Sequence, residues 1–79
     1  MSENSIPLLD SSGKICPLPV LRLRKAMSAM QSGQRIQTRT TDPLAQIDVP
    51  AFCDEAGHLL IAAEPDGEGI LFTIEYRGK

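Results

Sequence analysis

The sequence predicts an α+β domain, a two-layer sandwich of order β-α-β-α-β-β, with two helices packed on one face of a four-stranded mixed sheet. Three observations point to it. Short stretches near the start, middle and end of the chain are strand-like, the later ones with period-two alternation and β-branched or aromatic residues. Two other stretches place apolar residues at helical spacing. Gly, Pro and Asp clusters separate all of them, with no repeat, low-complexity tract or linker between. At 79 residues the chain is one domain, residues 1–79, and its hydrophobic fraction of 42% is enough for a single packed core. With no Trp, one Tyr and two Phe, that core falls to Leu, Ile, Val and Ala.

The first strand is expected over Ser5–Asp10, where Pro7 marks an edge position or the strand's beginning, and Ser11-Ser12-Gly13 is a turn. Helix one is expected over Pro17–Ser32. Val20, Leu23, Met27 and Met30 form one stripe, Pro17 and Pro19 occupy the tolerant first turn, and Gly33 supplies a left-handed cap. Gln34–Thr41 alternates Ile36, Thr38 and Thr40 against Arg35, Gln37 and Arg39, a second strand.

Asp42-Pro43 opens a helical turn, with aspartate as cap and proline at the first helical position. Pro50 is expected to interrupt it and Asp48 to recap the chain, so that Val49, Phe52, Cys53 and Ala56 form the stripe of helix two, ended by Gly57. Leu59–Glu64 is the third strand and residues 65–69 a turn. Ile70–Arg77 is the fourth strand, with Ile70, Phe72, Ile74 and Tyr76 alternating against Leu71, Thr73, Glu75 and Arg77.

Eight Lys and Arg against ten Asp and Glu give a net charge of −2, which argues against a nucleic-acid module and predicts no direct nucleic-acid partner. The longest apolar run, Leu59–Ala63, is far short of the ~20 residues of a membrane span. The N-terminus lacks the basic start and apolar centre of a signal peptide, so a cytoplasmic protein without a membrane partner is expected. Its small acidic surface suggests a monomer. In that compartment Cys16 and Cys53 are free thiols. Cys16, Cys53 and His58 lack any paired C-x-x-C spacing, so neither a zinc site nor a thioredoxin-type motif is predicted. No phosphate loop, nucleotide fingerprint, Ser-His-Asp arrangement or catalytic carboxylate pair is present, and no cofactor is expected.

One place stands out: Lys14-Ile15-Cys16-Pro17-Leu18-Pro19 puts a cysteine immediately before the first turn of a helix. Such a terminus offers unpaired N–H groups and about half a positive charge, so the Cys16 pKa is expected to fall. Lys14, Arg22, Arg24 and Lys25 would add positive potential. Pro17 and Pro19 leave only the Leu18 and Val20 amides as donors and make the corner stiff. The plainer alternative is a small half-buried residue at a strand–helix junction. Cys53, on the stripe of helix two, reads as core. His58 reads as a partner of the last helical carbonyls, and Asp42 and Asp48 as caps. A cysteine with no base, oxyanion hole or cofactor suits attack of sulfur on sulfur, which needs only access, nucleophilicity and a leaving group.

Leu9-Asp10-x-x-Gly13-x-x-Cys16-Pro17-x-Pro19 resembles the signature of the TusA (SirA-like) family of small sulfur carriers, with its C-P-x-P motif. The likeness continues through Gly33, Asp42-Pro43 and Asp48-x-Pro50-x-Phe52-Cys53 to the last two strands, about residues 6–77. The resemblance implies that Cys16 receives sulfane sulfur as a persulfide from a donor such as a cysteine desulfurase. It then hands the sulfur to an acceptor protein, for tRNA 2-thiouridine synthesis or another sulfur-trafficking pathway. Such a sulfurtransferase turns over only within a relay. The resemblance further implies that Arg24 and Lys25 serve partner docking, and that Asp42 matches the second acid of an Asp-Asp-Pro. Thr41 replaces the first acid, and Ile47 stands where a relative can carry arginine. A second reading is a non-catalytic interaction or regulatory module that uses the basic face of helix one.

Overall fold

A computed structural model describes residues 6–78. The elements are β1 (Leu8–Ser11), α1 (Leu18–Met27), β2 (Arg35–Thr40), α2 (Pro43–Ala56), β3 (Leu59–Asp66) and β4 (Gly69–Glu75). The sheet order is β1-β2-β4-β3, with β1 parallel to β2 and the other pairs antiparallel. The expected order and mixed sheet are therefore present. Ser5, placed in the first strand from sequence, lies outside the described residues.

The core explains why both helices lie on one face. Leu23 and Met27 from α1 and Val49, Phe52 and Cys53 from α2 join Ile36, Phe72 and Ile74 of the sheet in one buried cluster. The alternation in β2 is as expected, with Ile36, Thr38 and Thr40 buried. Thr38 is tolerated inside because its hydroxyl donates to the Leu9 carbonyl oxygen at 3.0 Å.

Several boundaries differ from expectation; strand β1, for one, runs Leu8–Ser11, so Ser11 is in the strand and not in the turn. Helix α1 ends at Met27 rather than Ser32, where the Ser28 hydroxyl and amide both donate to the Lys25 carbonyl and close the last turn. Gly33, with φ +93°, serves the turn before β2 and not a helix cap. Strand β3 runs on through Pro65 to Asp66, because at a sheet edge a missing N–H is harmless. This shortens the turn to Gly67-Glu68, with Gly67 at φ +63°, as a two-residue hairpin opening on glycine requires.

Strand β4 stops at Glu75, although Tyr76 keeps backbone bonds to residues 33 and 34. The Arg77 and Gly78 amides instead donate to Nδ1 of His58, at 3.1 and 3.0 Å. The His58 ring thus ties down the segment after β4, and only its backbone amide, not its side chain, meets a helical carbonyl.

The largest correction concerns α2, which is one helix through Pro50. Proline inside a helix costs about 3 kcal/mol. The buried stripe of Ala45, Val49, Phe52 and Cys53 runs along both sides of the proline and offsets that cost. Asp48 is therefore interior to the helix and recaps nothing. Gly57 ends α2 in the left-handed conformation at φ +80°, with the His58 amide donating to the Cys53 carbonyl at 2.9 Å.

Candidate functional site

The site forms where two loops meet. Strands β1 and β2 run parallel, with Ser11 opposite Thr40, so their C-terminal ends are level. The loop that leaves β1 and the one that leaves β2 therefore emerge side by side. Gly13, at φ +79°, turns the first loop in a conformation that glycine adopts without strain. Its amide donates to Thr41 Oγ1 at 2.9 Å. Three residues on, the Cys16 amide donates to Asp42 Oδ2 at 2.7 Å. Side chains of the second loop thus hold the backbone on both sides of the turn that carries the cysteine.

Cys16 is half-buried, and the Cys16–Pro17 peptide is cis. Pro17 occupies the N-cap position of α1, while Pro19 is buried in its first turn. The Leu18 amide, expected to face the sulfur, instead donates to the Ile15 carbonyl at 2.9 Å. The thiol has a different partner. Cys16 Sγ donates to Asp48 Oδ2 at 2.7 Å.

That contact reverses the expected electrostatics. The bond to Asp48 leads in holding the Cys16 pKa above its ordinary value, followed by burial and the negative charges of Asp48 and Asp42. No cation contributes. Arg22 donates to the Asp10 carbonyl and the Ser11 hydroxyl, at 2.8 and 2.9 Å. Arg24 lies over the Phe52 ring, its guanidinium carbon 5.0 Å from the centroid. The thiolate-favouring site read from the helix terminus is in fact a thiol-favouring one.

The structure thus gathers Gly13, Cys16, Pro17, Pro19 and Asp42 of the sequence-predicted site residues. Arg24 and Lys25 lie in the last turn of α1, about two helical turns from the sulfur end. Arg24 borders a separate open cleft with Phe52, His58 and Tyr76. Sequence reasoning missed Asp48 and Thr41 as parts of the site. The signal that finds Thr41 is topological, since residues just past the ends of two adjacent parallel strands become neighbours, whereas Asp48 lies inside the helix that follows and is placed only by how that helix packs.

Four exposed large apolar residues stand within two positions of Cys16, Asp42 or Asp48, namely Ile15, Leu18, Leu44 and Ile47. Cys53 is different in kind. It is 2% exposed within the core, and burial pushes its thiol up to about 11.

A small α/β sandwich with a half-exposed cysteine at the start of its first helix is the architecture of a known class. The family model described as sulfurtransferase TusA matches residues 8–76. The sulfur carrier protein TusA of Allochromatium vinosum is 40% identical over 67 residues, covering 85% of this chain and 88% of that protein. A protein of Neisseria meningitidis serogroup A, also named as a sulfur carrier, is 43% identical over 72 residues, covering 90% and 93%. The crystal structure of a SirA-like protein from Desulfitobacterium hafniense aligns with a TM-score of 0.77 at 22% identity, over 89% of this chain and 96% of that one, a likeness of fold. The chain belongs to the TusA family.

Proposed function

We propose that this protein is a sulfur carrier that works through a persulfide on Cys16. The observation that carries the reading is the placement of that sulfur: half-exposed, on a corner held by proline on one side and by Asp42 on the other. The only other cysteine is sealed in the core, so a persulfide here has no internal thiol to convert it to a disulfide.

The exchange balances without any cofactor. A donor persulfide, such as that of a cysteine desulfurase, meets the Cys16 thiol. The Sγ atom forms a bond to the donor's terminal sulfur, the donor's S–S bond breaks, and the Cys16 proton ends on the donor sulfur. One thiol and one persulfide become one thiol and one persulfide. Discharge repeats the step, with an acceptor protein's thiolate attacking the terminal sulfur and the Cys16 sulfur leaving. A sulfur with a raised pKa is a poor leaving group. That property suits a carrier, which retains its cargo until an acceptor is aligned.

Protein partners fit the surroundings of the sulfur. The apolar side chains of Ile15, Leu18, Leu44 and Ile47, each within two positions of Cys16, Asp42 or Asp48 in sequence, are exposed and give a partner surface to cover. Arg24 and Lys25 on α1 and Asp42 beside the site are the docking residues of this reading. The acceptor pathway, tRNA 2-thiouridine synthesis or another sulfur route, follows from which partner docks.

The test is intact mass and peptide mapping after incubation with a cysteine desulfurase and cysteine. Wild type is expected to gain the mass of one sulfur atom at Cys16, and Cys16→Ser to gain none. Sulfur that persists in Cys16→Ser, or that maps to Cys53, overturns the reading.

A further inference from the structure

The hydrogen bond from Cys16 Sγ to Asp48 Oδ2, 2.7 Å long, joins residues 32 positions apart in sequence and has no part in holding the backbone. The backbone is fixed separately, by Asp42 on the Cys16 amide and Thr41 on the Gly13 amide. Asp48 projects from within α2 and is half-buried, so its carboxylate faces the sulfur from a rigid element. Among the described residues, the charged groups that act on the sulfur are Asp48 from α2 and Asp42 at its N-cap; α1 and its preceding loop contribute no cation.

We propose that Asp48 is a proton latch: its carboxylate keeps the unloaded Cys16 as a neutral, oriented thiol until a docking partner separates the two. This deepens the carrier reading and rests on it. A thiol held in this way is a weak target for stray electrophiles, because the thiolate is the reactive form. Once deprotonated, the same sulfur is a stronger nucleophile than a low-pKa one. Loading removes the latch by itself, because the inner sulfur of a Cys16 persulfide carries no hydrogen to donate. The empty and loaded carriers therefore differ at this contact. A partner that brings a cation to Asp48 opens it from outside, and the carboxylate pair of Asp42 and Asp48 is complementary to such a group.

The test is the pH dependence of iodoacetamide alkylation at Cys16, read by peptide mapping in wild type, Asp48→Asn and Asp48→Glu. No sulfur donor is involved, so the outcome is independent of whether the protein carries sulfur. The Asp48→Asn midpoint is expected to fall below that of wild type. Each unit of fall gives about threefold faster alkylation at neutral pH, the gain in thiolate being partly offset by lower nucleophilicity. Asp48→Glu, which keeps the charge, is expected to move the midpoint back up. An Asp48→Asn profile that coincides with wild type, or shifts upward, overturns the latch. Should Asp48→Asn fail to fold, wild type is compared with a synthetic peptide of residues 12–22. A Cys16 midpoint above the peptide's supports the latch, and one at or below it overturns the idea. Failure to gain sulfur from a desulfurase, by contrast, overturns the carrier reading and leaves the alkylation profile standing.

Discussion

At the scale of single residues, two cysteines of one chain have been given opposite tasks by their surroundings. Cys53 is a small apolar group in the core, pushed up to about 11 by burial alone, and Cys16 is half-exposed with its pKa raised chiefly by a carboxylate. Accessibility separates them, while both pKa values are raised. Iodoacetamide at neutral pH is expected to label Cys16 well before Cys53 in the folded protein, and both at similar rates in denaturant; equal rates in the native state would contradict the assigned burial. The position of Cys16 was legible in the sequence, because Pro17 and Pro19 mark a helix start by their missing N–H groups. Its protonation was not. The helix terminus and the neighbouring basic residues argued for a thiolate, while the decisive group, Asp48, comes from another element. An oxygen 2.7 Å from the sulfur outweighs a partial charge spread over a helix end.

At the scale of elements, the sequence showed every strand and helix and missed how proline and serine act in context. Pro50 taken alone predicts a break, but a buried apolar stripe carries α2 through it. The apolar stripe through Met30 predicts a helical Ser28, but its hydroxyl closes α1 early. His58 carries the element-scale prediction. Nδ1 accepts two amide hydrogens from the segment after β4, so the neutral ring bears its proton on Nε2. The ring lies against Tyr76, with centroids 4.6 Å apart, and burial lowers its pKa below the ordinary 6.5. Protonation would place a hydrogen on Nδ1 and break both bonds. A base whose pKa falls on folding adds stability above 6.5 that is lost as pH drops through its folded value.

Melting temperature is thus expected to fall between neutral and mildly acidic pH, and His58→Gln is expected to flatten that slope. An unchanged slope in the variant would rule the pin out. The depressed carboxyls of Asp10, bonded to Ser12, and Glu75, held by Arg77 and Arg35, act in a more acidic window, around and below their ordinary values of 3.8 and 4.5. There too stability is lost as pH falls.

At the scale of the whole molecule, a 79-residue domain has one core and little margin. Stability of about 0.05–0.15 kcal/mol per residue gives a domain of this size roughly 4–12 kcal/mol. Phe72, 2% exposed, and Leu23, fully buried, meet in that core from opposite layers. Truncation of either to alanine is expected to cost about 3–5 kcal/mol, enough to remove a large share of the total, as urea titration would show. A loss below about 1 kcal/mol would mean that the two layers are not packed as described.

The level ends of β1 and β2 have a consequence for the life of the protein. The cysteine and the carboxylates that restrain it lie on opposite sides of a helix and a strand in sequence, and only the parallel ladder brings them together. A copy in which that ladder has come apart keeps its cysteine but loses the restraint, and becomes an ordinary, indiscriminate sulfhydryl. Chemical discretion in this molecule is thus a property of the finished fold.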